Sequence, residues 1–209
     1  PTTLRLAIVP GCSASADCMD LTAAKALLYC ALGLFVLIAW ARERRKRTIT
    51  GEPEKFWPGT TYAPTGAYFV AAAGAILITI TEAAVEKRTG LTDQQSVLPA
   101  IFIFQLLGAS IVEEMLFRGF VAPGELFGRK LLALMIVGSL VFALIHNFDL
   151  STPEGKVSAL FAFITSLWLY VVRFNPLNPD RSLLPCFMAH TVRNLAVFGI
   201  KGAQGFISW

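Results

Sequence analysis

The sequence predicts an all-α protein, a polytopic transmembrane bundle of about six helices, and three observations carry that expectation. Hydrophobic residues make up 55% of the chain and charged ones 15%, where soluble domains carry about a quarter charged residues. The mean hydropathy of +0.61 reflects more apolar surface than one soluble core can bury. The apolar residues are also gathered into runs of near-spanning length, divided by short polar segments. They read as a single membrane domain over 1–209, with N-terminal spans and a basic cytoplasmic loop in 1–95 and the chemistry-bearing core in 96–200.

Residues 1–20 are a mixed stretch holding Cys12 and Cys18, without the charged n-region and cleavage site of a signal peptide. The first span is expected from Thr22 to Trp40, with Lys25 reaching outward and Trp40 anchoring the far interface. The run Arg42-Glu43-Arg44-Arg45-Lys46-Arg47 stops it, and Pro53 and Pro58 mark a linker over 48–63. A second span covers Thr65 to Val85, where Ala71 to Ala75 offers the small residues that let helices approach closely in lipid. The third runs from Ser96 to Phe120 and is broken by Pro123-Gly124. The fourth, fifth and sixth cover Lys130 to Phe148, Lys156 to Val172 and Ser182 to Ile200. Cys30 and Cys186 lie inside apolar runs and read as small packing residues.

The net charge of +4 does not point to nucleic acid, because six of the eighteen basic residues fall between Arg42 and Lys55. A juxtamembrane cluster of that kind meets anionic lipid. Segments 41–60, 118–130 and 173–181 hold eleven Lys and Arg, against five in the alternate segments, so the 41–60 side is expected to be cytoplasmic. Both termini then face the other, oxidising side, where Cys12 and Cys18 could pair as a disulfide.

The stretch Ile111 to Phe120 departs from the apolar pattern. Glu113 and Glu114 follow a run, Leu98 to Val112, without a single charge. Each ionisable group at such depth costs about 2.5 kcal/mol or more on insertion scales, which marks the pair as functional. On a helix the two carboxylates point about 100° apart. Glu114 and Arg118 are spaced i, i+4 and can pair, which leaves Glu113 as the candidate general base. The chain has only two histidines, His146 and His190, and both fall in apolar spans. Asn194 lies one turn after His190, Phe142 one turn before His146, and Arg193 needs a carboxylate, for which Glu114 is the expected partner. One Glu, two His and an Asn could activate water and stabilise an oxyanion, hold a catalytic zinc, or relay protons. H-E-x-x-H is absent, Ser110 lacks a G-x-S-x-G context, and Cys186, at i−4 from His190, could form a thiol–imidazole pair only by local spacing.

Three motifs stand in order: Glu113-Glu114-Met-Leu-Phe-Arg118, Phe142-Ala-Leu-Ile-His146 and His190-Thr-Val-Arg-Asn194. Together they resemble the CPBP family of intramembrane endopeptidases, the CAAX proteases and bacteriocin-processing enzymes also called the abortive-infection family. The resemblance covers about 96–200. It implies a glutamate-dependent endopeptidase without a required metal or cofactor. In that reading Glu113 and His146 activate water, His190 and Asn194 form the oxyanion hole, and Glu114 and Arg118 support the site. The substrate would be a membrane-associated protein or peptide, lipidated or not, and the enzyme an integral protein of a prokaryotic cytoplasmic membrane. A non-catalytic scaffold or bacteriocin-immunity protein of the same fold is the alternative.

On straight helices rising 1.5 Å per residue, Glu113 lies about 16 Å and His190 about 12 Å from their cytoplasmic ends, but His146 about 27 Å. A tilted fourth helix, or a third helix running on past Gly124, would reconcile the depths. A water-filled cavity open to the cytoplasmic, 41–60 side is expected around Glu113.

Overall fold

A computed structural model describes residues 16–51, 59, 61–95, 97–120 and 128–208, with side chains from residue 23 onward except that of Gln94. The chain is an all-α membrane bundle. Its helices are α1 (Ala16–Thr50), α2 (Thr65–Thr89), α3 (Phe102–Glu114), α4 (Gly128–Ile145), α5 (Pro153–Phe174) and α6 (Leu184–Ala203). A six-residue π-helix, Met115–Phe120, continues α3 without a break. A two-residue parallel bridge joins β1 (Leu98–Pro99) to β2 (Ile207–Ser208) and ties the entry of α3 to the segment after α6. The linker prolines, the Pro123–Gly124 break and the Cys12–Cys18 pairing lie outside the described residues.

Each of the six apolar runs forms a helix, but the helices differ in kind. Four are long and apolar enough to cross a membrane: 23–50 of α1, and α2, α4 and α5. The regular part of α3 has only 13 residues, and α6 carries His190, Arg193 and Asn194 in its middle. These two pack against each other, α3 also against α1 and α6 also against α2. Leu27 and Leu34 on α1, Phe69 and Leu77 on α2, and Val137 and Leu140 on α4 are all more than half exposed. So much exposed aliphatic surface would be an aggregation liability in water and carries no penalty against acyl chains.

Two expectations about α1 are corrected. The helix does not stop at the basic run but continues through it to Thr50, because Lys and Arg are good helix formers. The chain leaves the helix at Gly51, whose positive φ of 67° suits a residue without a side chain. Trp40 is not an interfacial anchor. It is 6% exposed, packs edge-on to Phe187 at 6.2 Å and has the Arg44 guanidinium over its ring. Its turn of α1 faces the core cluster of Met115, Leu169 and Phe187 rather than lipid.

Close backbone contacts set the helix directions. Cys30 Sγ donates to the Phe104 carbonyl at 3.2 Å, and Gly33 lies against Gly108. Trp40 shares a cluster with Met115, so α1 and α3 run parallel. Asn194 bonds to Ser110 while Phe187 meets Trp40, so α6 runs antiparallel to both. On α2 the small residues Ala67, Ala71 and Ala75 form the buried face, and Trp168 of α5 donates its indole N–H to the Ala71 carbonyl at 3.1 Å.

A Cβ at Gly108 would overlap the Tyr29 carbonyl, whereas one at Gly199 meets open space. Gly108→Ala is therefore expected to destabilise by about 1–3 kcal/mol through overpacking. Gly199→Ala, on an exposed face of α6, is expected to be neutral or to stabilise by up to about 1 kcal/mol. Thermal unfolding of the two variants in the same detergent would check the contrast.

Candidate active site

The site begins with the i, i+4 pair that the sequence placed on one helix face. Arg118 Nη1 donates to Glu114 Oε1 at 3.1 Å, and both side chains are fully buried. The same Oε1 accepts from His190 Nδ1 of α6 at 2.8 Å. Arg118 Nη2 reaches the other way, to the carbonyl of Ser166 on α5 at 2.9 Å and to its hydroxyl. The guanidinium also lies over Tyr170 at 4.7 Å and Phe142 at 4.9 Å, where ring faces favour a cation. The π-helix accompanies this turn. Such widened turns recur at functional sites, and here the Phe117 carbonyl at the end of the described helix accepts from Tyr170 at 2.9 Å. Ser166 and Tyr170 bear no motif; their part depends on how α5 is rotated, which no local pattern announces.

Glu113 points elsewhere, as its angular offset from Glu114 requires. It is 19% exposed, and its Oε2 lies 3.8 Å from His190 Nε2. His190 is thus held at Nδ1 by one carboxylate and faces the other with Nε2. Asn194 Nδ2 donates to the Leu106 carbonyl at 3.2 Å and to Ser110 Oγ at 3.0 Å. The Ser110 hydroxyl itself donates to Leu106 at 2.8 Å. Ser110 is a clasp for Asn194, a role that its sequence context did not signal.

His146 owes its orientation to the end of α4. There the backbone tightens, with His146 N to Ala143 O and Asn147 N to Leu144 O bonds, and Asn147 adopts a positive φ of 52°. The Phe142 carbonyl, released from the regular ladder, accepts from His146 Nδ1 at 2.7 Å. A carbonyl cannot donate, so Nδ1 carries the proton and Nε2 is left as the basic nitrogen. The ring packs between Phe142 at 4.7 Å and Phe148, stacked at 5.6 Å.

Glu113, His146, His190 and Asn194, from three helices, line one cavity of about 270 Å³. The four side chains therefore share one cavity despite the unequal depths along straight helices. The end of the third helix among the described residues is a π-helix, and the stretch past Gly124 lies outside them. Glu113 Oε2, His146 Nε2 and His190 Nε2 are the atoms a metal could use, but among the described residues no three His, Cys, Asp or Glu side chains form a group that could hold one.

One expectation fails here. Arg193 does not pair with Glu114 but with Glu82 of α2, at 2.9 Å. Three positions on from His190 it is turned about 60° around α6, and Glu114 is already taken. The lining of the cavity reaches Phe102 at the start of α3 and Phe148 beyond α4, at the opposite end of the bundle from the basic turns of α1. Cys186 forms no pair with His190; its thiol contacts the Leu169 carbonyl at 3.5 Å.

The motifs and the geometry converge with the comparison to known families. Residues 95–196 match the model of the family described as type II CAAX prenyl endopeptidase Rce1-like. The matched segment spans just under half of the chain and is what the chain shares with the Rce1-like family. No curated protein matches the chain, and no solved structure does. The Rce1-like segment begins just before β1 and ends within α6, so it holds every residue of the cavity except Tyr29 of α1.

Removing one partner from a buried charge pair typically costs about 3–5 kcal/mol. Arg118→Ala is expected to lose stability on that scale, seen as a large drop in melting temperature in detergent. The double variant Glu114→Gln, Arg118→Met, which removes both charges, should recover part of the loss. Equal melting of wild type and Arg118→Ala would refute the role given to this pair.

Proposed function

We propose that the protein is an intramembrane endopeptidase that hydrolyses a peptide bond in a membrane-associated protein with a glutamate-activated water. The observation that carries this reading is the meeting of Glu113, His146, His190 and Asn194 in one cavity, beside a fully buried anchor of Glu114 and Arg118. The match to the Rce1-like family supports a CAAX-type protease fold.

The steps follow from the donors and acceptors present. Glu113 takes a proton from a water that also donates to His146 Nε2, and the resulting hydroxide attacks the carbonyl carbon of the scissile bond. The carbonyl π electrons move to oxygen. His190 Nε2–H donates to that oxyanion. Since Nδ1 donates to Glu114 at the same time, the ring acts as an imidazolium, its charge balanced between two carboxylates. Asn194 has both amide hydrogens committed to α3 and joins the oxyanion by exchanging its Ser110 bond. Collapse of the tetrahedral intermediate breaks the C–N bond, and Glu113 returns its proton to the departing amine. The products are a carboxylic acid and an amine, which exchange the remaining proton and leave as carboxylate and ammonium, and the base is regenerated. The lining of Tyr29, Phe102, Leu106 and Phe148 would receive apolar substrate side chains.

General bases contribute typically about 10²–10⁴-fold. Glu113→Gln keeps the side-chain shape and removes the base. Cleavage of membrane-tethered peptides by the purified protein in vesicles should fall by about that factor, with melting temperature unchanged and no response of the wild type to a chelator. Undiminished cleavage by Glu113→Gln would make the carboxylate structural and sink the glutamic mechanism. Loss of wild-type activity on chelation would redirect it to a metal.

A further inference from the structure

Most polar groups in the wall of the catalytic cavity are already engaged within the protein. Glu113 and His190 face each other, His146 holds the Phe142 carbonyl, Asn194 holds Ser110 and Arg193 holds Glu82. Three further polar side chains line the same cavity: Tyr29 of α1, Gln105 of α3 and Thr165 of α5. The Thr165 hydroxyl is fully enclosed. Gln105 and Tyr29 are only half-buried, and among the described residues neither side chain makes a hydrogen bond. A carboxamide kept in an apolar segment without a partner is costly.

Gln105 shares a face of α3 with the proposed base. Phe102, Gln105, Leu106, Ala109 and Glu113 all line the cavity, at the spacing of one helix side. Glu113 follows Gln105 by two turns, about 12 Å along the axis. Between them Ala109 has no side chain beyond its Cβ, so a chain can lie close to the helix there. Close contact between the Tyr29 carbonyl and Gly108 holds α1 against α3 at the same level. An extended peptide rises about 3.3 Å per residue. Laid along this face with its scissile carbonyl at Glu113, it has its backbone beside Gln105 about three to four residues away. A carboxamide donates and accepts at once, as a peptide group does, so it can hold a backbone whatever the side chains.

We propose that Gln105, aided by the Tyr29 hydroxyl, is a substrate-binding residue that hydrogen-bonds the peptide backbone about three to four residues from the scissile bond. The proposal rests on the protease reading and adds the register in which a substrate lies. A mixed library of lipid-anchored, internally quenched peptides is offered to the purified protein in vesicles, and one cleaved peptide is remade with single backbone esters in place of amides. Gln105→Met is expected to raise KM about three- to tenfold, with kcat and melting temperature kept, as for an interaction made equally in ground and transition states. Tyr29→Phe should act in the same direction. An ester three or four residues from the scissile bond should raise the wild-type KM and have no further effect in Gln105→Met. An unchanged KM in Gln105→Met, with cleavage still dependent on Glu113, would overturn this inference alone. So would an ester effect that persists in Gln105→Met, or a Gln105→Met protein that fails to fold, since a side chain without internal bonds is not needed for folding. Absence of any cleavage, or cleavage undiminished by Glu113→Gln, would overturn the protease reading and this inference with it.

Discussion

A buried arginine cannot shed its charge and must be matched where it lies. Arg118 is matched through both Nη atoms and its faces: a carboxylate from its own helix, a backbone carbonyl and a hydroxyl from α5, and aromatic faces from α4 and α5. Each partner comes from a different direction, so the guanidinium fixes how α3, α4 and α5 are rotated about one another. Glu114 then extends the constraint to α6 through His190. The price is the desolvation of several charges, and burying them adds little stability in itself. What the arrangement supplies is a unique set of helix rotations, with Glu113 left facing the cavity.

The two histidines are fixed by different means, and the difference sorts their chemistry. His146 is oriented by a neutral carbonyl at a helix end, which leaves its outer nitrogen a base. His190 is oriented by a carboxylate at Nδ1 and has a second carboxylate 3.8 Å from Nε2.

Much of this was legible in the sequence because it is local. Helix periodicity puts Glu114 and Arg118 on one face and Glu113 off it, and apolar runs mark α2, α4 and α5 closely. His146 is grouped with Glu113 and His190 because both histidines of the chain fall in apolar spans, and the resemblance supports it, although depth along straight helices argues against it. What failed was long-range. Arg193 finds Glu82, 111 positions away in the chain, because of the angle between α6 and α2. Trp40 turns inward because that turn of α1 meets α3 and α6 rather than lipid. The π-helix follows from tertiary demand at Arg118, as no residue of Met-Leu-Phe-Arg-Gly-Phe requires it by propensity. That the cavity lining reaches Phe102 and Phe148, away from the basic end, needed the helix directions.

The division among the helices follows from the solvents they face. A helix in contact with acyl chains must be long and apolar, and four of the six satisfy that. A helix that carries acids, imidazoles and an amide must find partners for them within protein, and α3 and α6 find them largely in each other. Their contacts are correspondingly polar: Glu114 with His190, and Asn194 with Ser110 and Leu106. Because each of these bonds has one partner on α3 and one on α6, sliding either helix by a turn would break all of them at once. The apolar helices can shift against lipid at little cost, whereas the register of α3 on α6 cannot, and that register sets the distance between the proposed base and the proposed oxyanion donor.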